Sequence, residues 1–166
     1  RMDDGTTTSG RRLVLAHGVV DCLPQLEGVS ERWGQSVLHC PYCHGYEIGG
    51  GAIGVLAAGP MSMHQALLVA DWGEATLFLN GAFEPDAEEL RKLARRGVRV
   101  ERARVAGLEG EAPRLTRVRL EDGRVVEVSA LFVGPSLHQP GRMAEALGCE
   151  MEVSAMGSIV RTDAFK

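Results

Sequence analysis

Ile53-Gly54-Val55-Leu56-Ala57-Ala58-Gly59-Pro60-Met61-Ser62 is the stretch on which the fold turns. Ile53 to Ala58 is apolar without alternation, the pattern of a strand buried on both faces. Gly59-Pro60 stops the run, and Pro60 suits the first turn of a helix, where a missing N–H costs nothing. Met61 to Trp72 follows as a mostly apolar helix with Ala66, Leu67, Val69 and Ala70 toward a core. Ala75 to Leu79 is the next strand. Asp86-Ala87-Glu88-Glu89 has the spacing of a capping box and opens a helix to Arg96, with Leu90, Leu93 and Ala94 inward and Gly97 closing it. Val98 to Val100 is a third strand. Strand, helix, strand, helix, strand with links this short predicts a parallel sheet.

Working outward, Leu115 to Glu121 and Arg124 to Val128 flank Asp122-Gly123, a strong hairpin signal. Leu131-Phe132-Val133 returns as a buried strand and ends at Gly134-Pro135. Upstream, Leu13-Val14-Leu15-Ala16 reads as another buried strand, ending at His17-Gly18. Residues 19–36, with Pro24, Gly28 and Gly34, read as a connector, and Gly49-Gly50-Gly51 as a second break. The expectation is an α/β fold: a three-layer, Rossmann-like dinucleotide-binding domain with a parallel sheet plus an antiparallel hairpin or meander.

Composition narrows the classes. The chain has 166 residues, 45% hydrophobic and 24% charged, enough for one compact domain and part of another. No run of about 18 apolar residues exists, so no membrane span is expected. Eighteen basic against 22 acidic residues argue against a nucleic-acid binder. Four unevenly placed cysteines do not make a disulfide scaffold, which points to a cytoplasmic protein. Arg1-Met2 and Asp163-Ala164-Phe165-Lys166 make abrupt ends, and a fragment of a longer protein is expected.

The chemistry concentrates in His39-Cys40-Pro41-Tyr42-Cys43-His44-Gly45-Tyr46-Glu47. Cysteines at i and i+3 can close a disulfide, and each can tune the pKa of the other. Flanking imidazoles can carry the protons that thiol exchange requires. Three readings stand beside one another here. The pair is a redox dithiol, or His39, Cys40, Cys43 and His44 hold zinc, or the cysteines are packing residues. His44 is likewise either an acid/base or an ordinary loop histidine. Cys22, Cys149, Met61, Met63, Trp33 and Trp72 read as core or interface residues, and His64 is assigned no role.

H-C-P-Y-C-H-G-Y-E, preceded by L-V-L-A-H-G and followed by strand, glycine and helix, resembles the thioredoxin-reductase-like flavoprotein family. It is nearest the branch containing dithiol oxidases. The resemblance implies residues 1–36 as a remnant of an FAD domain, 37–150 as a pyridine-nucleotide-type domain carrying the dithiol, and 151–166 as a return toward the FAD domain. It implies Cys40 as the thiol exchanging with substrate, Cys43 as the one nearer the flavin, and a homodimer acting on a small-molecule or protein dithiol. Ala16-His17-Gly18 resembles a turn passing the flavin. His44 stands where reductases of the family carry Asp, so His44 becomes the catalytic acid/base candidate. The family's FAD-binding glycine turn and its closing Gly-Asp turn are missing, so FAD is implied for a longer parent rather than for this chain.

Ala57-Ala58-Gly59-Pro60-Met61-Ser62 sits where G-x-G-x-x-G/A would hold a pyrophosphate, and only Gly59 is kept. Asn80-Gly81 replaces the acidic ribose ligand. No NAD(P)H binding is therefore expected. A non-catalytic nucleotide-binding domain and a zinc module remain the alternatives to a flavoenzyme.

Overall fold

The computed structural model describes residues 4–154 and 157–162. Both abrupt ends noted in the sequence, Arg1-Met2 and Asp163 to Lys166, lie outside them. The chain divides into two compact units: Leu23–Pro135, and the segment up to Cys22 together with Ser136 onward. The second of these begins with β1 (Val20–Cys22).

The larger unit holds β2 (Val37–Leu38), α1 (Pro41–His44), β3 (Ala52–Leu56), α2 (Ser62–Val69), β4 (Glu74–Phe78), α3 (Ala87–Arg95), β5 (Arg99–Glu101), β6 (Val105–Glu109), β7 (Arg117–Leu120), β8 (Val125–Glu127) and β9 (Ala130–Val133). A five-stranded sheet runs β2-β9-β3-β4-β5, every neighbour parallel. An antiparallel sheet, β6-β7-β8, forms a separate layer.

Alternation within the central strands builds two cores. Ile53, Val55, Leu77, Ala130 and Phe132 pack with Met63, Ala66 and Val69 of α2 and Leu93 of α3. Leu56, Phe78, Leu131 and Val133 point the other way and pack on Leu108, Val118 and Leu120 of the antiparallel sheet. Strands covered on both faces need no polar positions, which is why β3 and β9 read as unbroken apolar runs. Gly54 is the exception in β3, because a Cβ there would lie 2.6 Å from Leu131 Cδ1 and 2.9 Å from Phe78 Cε2. The α/β, three-layer expectation holds. The capping box is present: Asp86 accepts from the Glu88 and Glu89 amides, and Glu89 accepts from the Asp86 amide. Gly97 follows α3 with φ +69°, the left-handed end that glycine favours.

Three expectations change. Leu13 to Ala16 is not a buried strand: Leu13 is 63% and Val14 83% exposed, and no strand among the described residues pairs with them. An apolar run becomes a strand only where a neighbour accepts its backbone. Residues 23–36 are more than a connector. Val29 is buried, and the buried Arg32 donates to the carbonyl oxygens of Gly28, Gly110 and Arg114, tying the segment to the antiparallel layer. The two compact units divide in sequence at Cys22/Leu23 and Pro135/Ser136. Cys22 is not a packing residue either. It is exposed, with Sγ 3.1 Å from Nδ1 of His138.

In the smaller unit β1 is joined by β10 (Ser136–His138), α4 (Met143–Ala146), β11 (Met151–Ser154) and β12 (Gly157–Val160). Its sheet runs β1-β10-β12-β11. Ala144 of α4 is buried. Among the described residues no helix is long and apolar enough to cross a membrane.

Candidate active site

Cys40 caps α1 with an extended backbone, and Pro41 takes the first helical position. The Cys40 carbonyl accepts from the amides of Cys43, at 3.1 Å, and His44, at 3.2 Å. That single turn brings the two cysteines to the same end of the helix. Two contacts from α2 and the residues after it hold the turn in place. Gln65 Nε2 donates to the His39 carbonyl at 2.7 Å, and Gly45 packs so closely on Trp72 that no Cβ fits between them. Pro41 is buried.

The two thiols differ. The Cys43 S–H, donated to Cys40, holds the Cys40 thiol below its usual pKa, with the Cys43 and Tyr42 amides adding to the effect. The same hydrogen bond pushes Cys43 up, and desolvation and the charges of Cys40 and Glu47 reinforce it. Cys40 is half-buried and Cys43 exposed. Thiolate character therefore gathers on the first cysteine and accessibility on the second.

His44 Nδ1 lies 3.0 Å from Glu47 Oε2. The pair lines a cleft of about 230 Å³ together with Gln35, Leu38, Ile48 and Ser129. Its partner Glu47 was missed as a functional residue in the sequence, although His-x-x-Glu on a helical turn is the signal for such a pair. A zinc site gains no support: among the described residues no group of three or more His, Cys, Asp or Glu is arranged to hold a metal. His39 is exposed, and its carbonyl is engaged by Gln65.

The nucleotide end lies elsewhere in the same unit. β3 has β4 on one side and β9 on the other, the reversal of strand order at which α/β sheets bind ligands. Gly59 follows it with no atom within 4 Å of a would-be Cβ, so the backbone there is open to close approach. The flanking groups do not fit a dinucleotide. The Ala58 amide donates to Ser62 Oγ at 3.0 Å, and Asn80 Oδ1 is taken by the Val105 amide at 2.9 Å. One cation was passed over in the sequence. The Arg104 guanidinium stands against Gly81, where a Cβ would meet its Nη2 at 2.9 Å.

Ala16, His17 and Gly18 are exposed in the smaller unit. Gly18 has φ +67° and nothing within 4 Å of a would-be Cβ. His17 Nδ1 is turned onto the Gly18 carbonyl at 3.1 Å.

No protein-family profile matches the chain. Against curated proteins it is 38% identical over 159 residues to thioredoxin reductase tcpT of Claviceps purpurea, covering 88% of this chain and 48% of that one. The chain is similar to half of a thioredoxin reductase. Thioredoxin reductase sirT of Leptosphaeria maculans is 28% identical over 175 residues, covering 97% of this chain and 53% of sirT. Among solved structures, an oxidoreductase from Agrobacterium tumefaciens superposes with a TM-score of 0.83 at 50% identity, over 90% of this chain and 49% of that one. The chain thus spans about half the length of the curated thioredoxin reductases it matches.

Proposed function

We propose that the whole protein is an FAD-dependent thiol–disulfide oxidoreductase of thioredoxin-reductase type, nearest the dithiol-oxidase branch, with Cys40 and Cys43 as its redox pair. The observation that carries this reading is the placement of the pair: Cys40 caps α1 and Cys43 lies within its first turn, its amide donating to the Cys40 carbonyl at 3.1 Å, with His44 beside it. One thiol leans toward thiolate because the other keeps its proton. That division suits the parts the two sulfurs play in exchange, Cys43 leaving with a proton and Cys40 released as a thiolate. The named relatives support the same reading. Action on a small-molecule or protein dithiol, a homodimer and a cytoplasmic setting belong to it as well.

The step balances as follows. His44 takes the proton of a substrate thiol, and the resulting thiolate attacks Cys40 Sγ of the Cys40–Cys43 disulfide. That bond breaks, substrate and Cys40 become a mixed disulfide, and Cys43 leaves and receives the proton from His44. The second substrate thiol loses its proton to solvent and attacks the substrate sulfur, closing the substrate disulfide and releasing Cys40 as thiolate. Two electrons have then passed to the pair. FAD, when bound, supplies the two-electron acceptor that returns the pair to the disulfide. The exposed Ala16-His17-Gly18 backbone is where this chain would touch it, and no step is assigned to Gly59 or to a nicotinamide.

The test is mass spectrometry of trapped adducts in the full-length protein. Cys43→Ser is expected to retain a mixed disulfide at Cys40, and Cys40→Ser to abolish exchange. Adducts found on Cys43 would reverse the roles, and none on either would return the pair to a structural part. His44→Ala is expected to slow turnover by roughly 10²–10⁴-fold.

A further inference from the structure

We propose that Glu47 is the positioning residue for His44: its carboxylate fixes the imidazole with the proton on Nδ1, leaving Nε2 as the nitrogen that exchanges protons at the dithiol. This rests on the reading of Cys40 and Cys43 as a redox pair. The geometry is direct, with Nδ1 and Oε2 3.0 Å apart across one helical turn. An ionised carboxylate can only accept, so the hydrogen in that contact belongs to Nδ1. A neutral imidazole then has its lone pair on Nε2, the state a general base requires. The turn is rigid where it matters, since the Ile48 amide donates to the His44 carbonyl at 3.2 Å and the Gly49 amide to the Tyr46 carbonyl at 3.3 Å.

Stability does not account for the pair. Both side chains are more than a third exposed, and such ion pairs contribute little to folding. The charge of Glu47 also favours the protonated form of Cys43. One carboxylate therefore acts on both proton-carrying groups of the site. His44 and Glu47 are the ionisable groups lining the cleft, and its other polar side chains, Gln35 and Ser129, hold no charge to compete for the imidazole.

The test reads the tautomer, which a merely structural residue would not set. Long-range ¹H–¹⁵N correlation of the histidine rings is recorded on this chain at alkaline pH, with His44 assigned through His44→Gln. The wild type is expected to carry its proton on Nδ1. Glu47→Ala is expected to shift it to Nε2, and Glu47→Gln, whose amide oxygen still accepts, to keep it on Nδ1. In the full-length enzyme Glu47→Ala should lower kcat roughly 10- to 100-fold with KM little changed, and Glu47→Gln should recover most of the loss. A wild-type ring protonated on Nε2, or an alanine variant with unchanged tautomer, overturns the proposal. The trapped-adduct experiment is independent of it. Failure there removes the redox reading while the tautomer result stands.

Discussion

A Cβ added at Gly45 would stand 2.5 Å from both Cε2 and Nε1 of Trp72, so the indole already fills the space that a side chain at position 45 would need. The Pro41 carbonyl oxygen lies equally close to the same point. Gly45→Ala must push the dithiol turn away from α2 or distort α1. The expected cost is about 1–3 kcal/mol, as for other overpacked sites. It should appear as a fall in melting temperature of roughly 2–4 °C per kcal/mol for a chain of this size. Unchanged melting would mean that Trp72 swings aside freely.

Arg32 yields a second prediction. Its buried guanidinium serves three carbonyl oxygens, those of Gly28, Gly110 and Arg114. Arg32→Met keeps much of the volume and removes every donor. Buried acceptors left unmet cost about 1–3 kcal/mol each before water relieves them. A net loss of about 2–4 kcal/mol in a urea titration is expected. A loss below about 0.5 kcal/mol would show that solvent replaces the side chain.

Acid stability should depend on Glu101. Its carboxylate is held below the usual range, first by the Arg124 side chain, against a smaller opposing effect of burial. Arg124 grips it with two bonds, Nη1 to Oε2 at 2.7 Å and Nη2 to Oε1 at 3.0 Å. A depressed folded-state pKa contributes stability that is present above the unfolded value and lost as pH falls through the folded one. Glu101→Gln is expected to lower stability near neutrality and to flatten its decline below about pH 4.3. Parallel pH profiles for the two proteins would contradict this.

Nicotinamide binding is expected to be absent. Asn80 stands in for the ribose acid and spends Oδ1 on the Val105 amide, while the Ala58 amide is engaged by Ser62. Calorimetry with NADPH and NADH should give no saturable heat at physiological concentrations. Low-micromolar NADPH binding that Arg104→Ala removes would instead make that guanidinium a phosphate ligand.

How much of this was legible in the sequence follows from range. The parallel strands, the capped helix and the Asp122-Gly123 hairpin are local patterns, and the structure keeps them. β6 escaped notice because Gly107 and the irregular register between Val105 and Gly107 break its alternation. Leu13 to Ala16 misled because an apolar run says nothing of whether a partner strand exists. At the candidate site, Cys40 and Cys43 stand out by their spacing, and His44 by the family resemblance. Gln65 and Trp72 do not, since they reach the turn from more than 20 residues away. Glu47 was in plain view, but its role needed the contact with His44.

β2, the two residues leading into His39-Cys40, pairs with β9 and with no other strand of its sheet. Its partner residues, Leu131 and Phe132, arrive more than 90 positions later in synthesis. β2 therefore has no strand to pair with when it is made. It has to wait while the helices, the other parallel strands and the antiparallel layer are translated. A pairing this distant in sequence is slow to form. Until it does, the dithiol turn is held only by the nearer contacts from Gln65 and Trp72, so the strand that leads into Cys40 is the last support of the turn to be fastened.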